Sequence, residues 1–160
     1  MLNRRTTLCL GLTGLLLTAC GPSTFGKRDS RSLAGGRGLY PGETPQMRAL
    51  IVKWARIHDI PPSLIHRVVQ RESDYNAAAR NGPYYGLMQI LPQTAGQMGY
   101  RGPPSGLLDA DTNLHYAGKY LRGAWLVAKG NEDRAVMWYA KGYYYEAKRM
   151  GLLDETGLRS

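Results

Sequence analysis

The sequence predicts an all-α protein with one helical domain. Three observations carry that prediction. From residue 44 onward, apolar residues recur at three- and four-residue intervals through successive segments. No segment alternates apolar and polar residues as a half-buried strand does, and no internal repeat is present. The 20 Gly and 9 Pro fall largely between the periodic segments, where they punctuate helices. At 160 residues the chain is long enough for one domain and short for two. With 43% hydrophobic and 21% charged residues, its composition excludes a disordered tail and a multi-span membrane protein.

The first 20 residues, MLNRRTTLCLGLTGLLLTAC, read as a targeting segment. Arg4 and Arg5 are followed by an apolar run from Leu8 to Ala19. A membrane span needs about 20 apolar residues, whereas this run has the length of a signal-peptide core. Its end, Leu17-Thr18-Ala19-Cys20, resembles the bacterial lipoprotein box. That resemblance implies a signal peptide over 1–19 and acylation of Cys20 as the first mature residue. Cys9 then leaves with the signal, and the mature domain holds no Cys for a disulfide or a thiolate metal site. Gly21 replaces the acidic residue that marks inner-membrane retention. The expectation is therefore an exported protein, lipid-anchored in the bacterial envelope at the outer membrane and facing the periplasm.

Residues 20–43 read as a lipidated flexible linker, because 21–43 holds six Gly and two Pro without an apolar period. The folded domain is expected over 44–153, with 154–160 as a C-terminal tail. Thr44-Pro45 starts the first helix with a hydroxyl cap and a first-turn Pro. Met47, Leu50, Ile51, Trp54 and either Ile57 or His58 form its inner face. Pro61-Pro62 ends it and opens a second helix with Leu64, Ile65, Val68 and Val69 on one side. A Gly-, Pro- and Tyr-rich loop spans 76–86, and a short helix follows near Gln93–Met98. Another loop, Gly102 to Gly106, leads to a long helix capped by Asp109 or Asp111. That helix turns Leu114, Ala117, Leu121, Ala124, Trp125 and Ala128 inward. Gly130-Asn131 breaks it, and one last helix is expected from Glu132 to Met150.

Charge narrows the partners. The whole chain carries +9, and the mature chain +7 from 19 basic and 12 acidic residues. Export makes nucleic acid an unsuitable partner. An anionic envelope polymer or a membrane surface suits the charge instead. His58, His66 and His115 lack metal-ligand spacing, and no Gly-rich phosphate loop follows a strand. No metal or cofactor is expected.

Glu72 is the candidate for chemistry, although its helix position alone fits an ordinary helix-end carboxylate equally. It lies four residues after Val68, seven after Ile65 and eight after Leu64, so it continues the apolar stripe of the second helix. Partial desolvation there favours the protonated form, which a general acid needs.

The flanking blocks are Glu72-Ser73-x-Tyr75-Asn76 and Gly86-Leu87-Met88-Gln89-Ile90-x-Pro92-x-Thr94-Ala95. Two more follow in order, Asp111-Thr112-Asn113-Leu114 with Gly118 and Tyr120-Leu121, and Ala135 to Gly142 around Trp138-Tyr139. Together they closely resemble the lytic transglycosylases of the soluble-lysozyme type, over roughly residues 45–150. The resemblance implies a lysozyme-like, goose-type-like helical fold with a saccharide cleft. It implies cleavage of peptidoglycan glycan strands between N-acetylmuramic acid and N-acetylglucosamine, leaving 1,6-anhydromuramoyl ends. Glu72 matches the catalytic acid. Ser73, Asn81, Tyr85, Met88, Gln89 and Tyr139 are the expected substrate-binding residues, and Asn113 matches a motif Asn of structural as much as catalytic character.

Most glycosidases place two carboxylates about 5–10 Å apart. Asp74 sits about 200° around a helix from Glu72, and Asp109 and Asp111 read as helix starts. A single carboxyl therefore suits a reaction that uses no water. The chain departs from the family pattern twice: Asn81 stands where a Ser is usual, and Ala140 replaces the Asn after the motif Tyr. A lysozyme-type hydrolase and a non-catalytic wall-binding lipoprotein are the rival readings. A secretion or cell-wall assembly complex is a candidate partner.

Overall fold

The computed structural model describes residues 38–159. The expected signal peptide 1–19, the acylated Cys20 and the linker up to residue 37 lie outside the described residues. Among the described residues, no helix is long and apolar enough to cross a membrane.

The fold is all-α with one small hairpin. Helix α1 (Pro45–Ile57) starts as its sequence predicts, with Thr44 Oγ1 accepting the Met47 N–H at 3.1 Å. Ile51, Trp54 and Ala55 are buried; at its end His58 turns inward and Ile57 stays 53% exposed. Helix α2 (Pro62–Glu72) buries Leu64, Ile65, Val68 and Val69 in one stripe, together with His66. The segment read as a loop contains a hairpin, β1 (Arg80–Asn81) paired antiparallel with β2 (Tyr84–Tyr85). Gly82, at φ +56, opens its two-residue turn, a conformation glycine adopts without steric cost. Helix α3 (Pro92–Gln97) follows, and the Gly102–Gly106 loop tightens into a 3-10 turn over Pro104–Leu108.

Helix α4 (Ala110–Val127) is the centre of the domain. It packs against α1, α3, helix α5 (Glu132–Lys141), helix α6 (Tyr144–Met150) and the 3-10 turn. Leu114, Ala117, Leu121, Ala124 and Val127 are fully buried along it. Each Leu there stabilises the fold by about 2 kcal/mol. Asp109 is its cap, accepting the Thr112 N–H at 2.8 Å. Asp111 does other work: its Oδ1 accepts from Lys53 Nζ at 2.7 Å and Trp54 Nε1 at 2.8 Å, tying α1 to α4.

The single last helix of the sequence reading is two. Gly142 breaks it, at φ 81 and ψ 147. Tyr143 then turns inward and donates from its hydroxyl to Tyr120 O at 2.7 Å. Only glycine at position 123 leaves room for that ring, because a Cβ there would lie 2.2 Å from the Tyr143 hydroxyl.

The folded unit also extends past both expected edges. On the near side it takes in Glu43, which is buried. At the other end Thr156 is buried, donating from Oγ1 to Leu152 O at 2.7 Å, and Leu158 packs on the core.

Candidate active site

Two adjoining cavities of about 320 and 270 Å³ run along one side of the domain. Both are walled by Tyr84, Gln89, Tyr139 and Ala140, so they form one groove. Glu72, Arg71 and Asn81 line the larger part. Thr94, Tyr120, Lys141 and Gly142 line the other.

Glu72 is the last residue of α2, and its carboxylate reaches the groove with 23% of the side chain exposed. Arg71 Nε lies 3.5 Å from its Oε1. The helix stripe that buries Val68 and Val69 thus ends in a half-buried acid, as its spacing predicts.

The block Gly86–Ile90 forms the facing wall and is held by bonds to its backbone. Asn113, fully buried on α4, is its clamp. Its Oδ1 accepts the Met88 N–H at 2.9 Å, and its Nδ2 donates to Tyr85 O at 2.9 Å and Leu107 O at 2.8 Å. Ser73 Oγ donates to Leu87 O at 2.8 Å, joining the end of α2 to the same block. Tyr139 donates from its hydroxyl to Met88 O at 2.8 Å, joining α5 to it. Burial first, then the neighbouring Glu72 charge, pushes the Tyr139 hydroxyl well above its ordinary value, so it stays a protonated donor.

Gln89 is held at φ +48. Its Nε2 spends both hydrogens, on Gly86 O at 2.8 Å and Ala79 O at 3.1 Å. A flipped amide would set its oxygen against those two carbonyls, so the bonding pattern fixes the amide. Oε1 is buried without a protein partner among the described residues, on a side chain that lines the groove. An unmet buried acceptor of this kind costs about 1–3 kcal/mol.

The expected site residues therefore divide. Glu72, Asn81, Gln89 and Tyr139 come together on the groove. Ser73 braces the loop through its hydroxyl, and the Met88 side chain is buried in the core; neither lines the groove. Tyr85 does not line it either. The hairpin register explains why. Asn81 pairs with Tyr84, and Arg80 with Tyr85, and directly paired residues share a face. Asn81 and Tyr84 face the groove, while the Arg80 guanidinium sits 4.8 Å over the Tyr85 ring on the other side. Tyr84, Arg71 and Lys141 are among the wall residues that the sequence-predicted site omits. Their signal was the register of a two-residue hairpin and their place beside motif residues. Ala140 presents a methyl group to the wall where the family pattern has an amide.

No solved structure matches this chain. A family model described as the Transglycosylase SLT domain matches residues 49–151, which takes in Glu72, the Gly86–Ile90 block, Asn113 and Tyr139. With more than half of its length covered by that match, the chain belongs to the transglycosylase SLT domain family.

Proposed function

We propose that this chain is a peptidoglycan lytic transglycosylase that cleaves the β-1,4 bond from N-acetylmuramic acid to N-acetylglucosamine and leaves 1,6-anhydromuramoyl ends. One observation carries the finer reading: among the described residues that wall the groove, Glu72 is the only carboxylate. A hydrolase of the usual kind needs a second one to activate water or to hold the sugar covalently.

Glu72 serves as acid and then as base. Its carboxyl protonates the glycosidic oxygen, the bond from that oxygen to the muramoyl C1 breaks, and C1 takes oxocarbenium character. The substrate's own acetamido oxygen shields that centre. The muramoyl 6-hydroxyl then attacks C1, and the Glu72 carboxylate takes its proton. No water enters, and Glu72 ends protonated as it began. Arg71, 3.5 Å away, lines the same part of the groove. The Tyr84 ring, 42% exposed, supplies a face for sugar stacking.

Mass spectrometry of products from isolated sacculi tests this reading. Anhydromuramoyl ends, one water lighter than reducing ends, are the expected result. Reducing ends would replace it with a lysozyme-type hydrolase. Bound sacculi without soluble product would replace it with a non-catalytic wall-binding protein.

The proposal extends to location. Residues 1–20 support export, acylation at Cys20 and an outer-membrane anchor facing the periplasm, with a secretion or wall-assembly complex as a candidate partner. Labelled palmitate should enter the chain and fail to enter Cys20→Ala.

A further inference from the structure

The segment ahead of α1 is built around a buried carboxylate. The Glu43 side chain is fully shielded from solvent, yet both oxygens are held. Arg48 donates to them from Nε and Nη2 at 2.5 Å each, and the Tyr40 N–H reaches Oε2 at 2.9 Å. Arg48 also donates to Gly38 O at 3.3 Å. Burial pushes the Glu43 carboxyl up. The Arg48 bond, the Tyr40 N–H and the nearby positive charge outweigh that, and the group sits below its ordinary value. A buried ion pair adds little net stability, and its best-attested role is to fix one arrangement over others.

The arrangement it fixes lies just past Glu72. Ser73 caps α2, and Asp74 and Tyr75 follow at φ 48 and φ 66. Two consecutive non-glycine residues in the left-handed region persist only where their surroundings hold them. The Tyr40 ring supplies part of that hold, parallel to Tyr75 at 6.4 Å and against His66 at 4.9 Å. The Tyr75 hydroxyl bonds His66 Nδ1 at 2.8 Å, and the same nitrogen lies 3.8 Å from Glu43 Oε1. Gly42 lies so close to the turn that a Cβ on it would stand 2.9 Å from Asp74 O. This strap, residues 38–44, therefore lies close against the turn on one side, while the Ser73–Leu87 bond holds it from the other.

We propose that Glu43 is a positioning residue for Glu72. Through Tyr40, Gly42 and Tyr75 it holds the strained turn that fixes where α2 ends and which way the Glu72 carboxyl points. The inference rests on the reading of Glu72 as acid and base. No residue of the strap lines the groove, so its loss acts on turnover and leaves saccharide binding alone.

The test uses the full chain with Glu43→Gln, measured for kcat and KM on isolated peptidoglycan and for amide hydrogen exchange. The expected result is a kcat at least 10-fold lower with KM unchanged. Exchange should quicken at the Ser73 and Asp74 amides, which both bond Val69 O at 3.0 Å, and stay as in wild type at Leu121 on α4. Gly42→Ala keeps the ion pair and pushes on Asp74 directly, so it should reproduce the kcat loss and serves if Glu43→Gln does not fold. Wild-type kcat in both variants would overturn the proposal, and so would unchanged exchange at Ser73 and Asp74. A wild-type chain that releases no product would instead sink the reading of Glu72, and the exchange data would still decide whether the strap holds the turn.

Discussion

Gly86 and Asn113 occupy one space by sharing it. A Cβ on Gly86 would stand 2.3 Å from Asn113 Nδ2 and 2.2 Å from Leu107 O, and the residue sits at φ +74. The absent side chain is what lets the Asn113 amide reach three backbone groups of the groove wall. Asn113→Ala strands the Met88 N–H and two carbonyls and should cost about 3 kcal/mol or more. Gly86→Ala should be at least as damaging. Urea melts of both variants check this; a loss under about 1 kcal/mol for Asn113→Ala would mean water or relaxation satisfies the loop.

Glu72→Gln keeps the shape of the acid and removes its proton transfer. Turnover on sacculi should fall by about 1,000-fold or more, with the melting temperature close to wild type because the side chain is only half-buried. Near-wild-type activity would end the single-acid mechanism.

Tyr84 and Tyr85 are neighbours in sequence and opposites in role. Tyr84→Ala should raise KM several-fold and leave stability near wild type, since its ring lines the groove and is partly exposed. Tyr85→Ala should destabilise by about 1–2 kcal/mol through lost packing and leave KM alone, since its ring packs on the core and under Arg80. The reverse pattern would show that the hairpin register differs in solution.

Stability should fall with acid in two steps. His58, His66 and His115 each sit below the ordinary value of 6.5, with burial the first cause in all three. As pH drops from 6.5 toward those lowered native values, the unfolded chain binds protons that the native chain refuses, and stability declines. Asp111 sits below 3.8, chiefly through the Lys53 bond, and Glu43 below 4.5, burial being outweighed by Arg48. Their stabilisation is full above those ordinary values and is lost as pH falls through the lowered native ones. Thermal melts from pH 8 to 3 should show both declines, and His115→Gln should shrink the first. A melting temperature that rises between pH 6.5 and 5 would contradict the assignment.

Local chemistry made much of this legible from residues alone. Thr44 caps α1 because its hydroxyl, one residue ahead of a Pro-led helix, lies within reach of a free first-turn N–H. The α2 stripe delivers Glu72 to the groove because helical spacing is a local rule. Contacts between distant segments were not legible. Four residues of hairpin show no period, so the side of Tyr84 waits on pairing across Gly82-Pro83. Gly142 inside a helical pattern reads as tolerated until Tyr143 is seen to need the space over Gly123. Glu43 in a Gly- and Pro-rich stretch gives no pattern, because its partner Arg48 and neighbour His66 come from two separate helices.

The bonds that shape the groove wall end on main-chain atoms: Leu87 O, Met88 O, Met88 N, Tyr85 O, Gly86 O and Ala79 O. Main-chain atoms are the same whatever side chain the residue carries. Side chains at Asn81 and Tyr84 can therefore be exchanged without removing any of these bonds, so the wall keeps its place opposite Glu72. Asn81, where the family pattern has a Ser, lines the groove without taking part in these bonds.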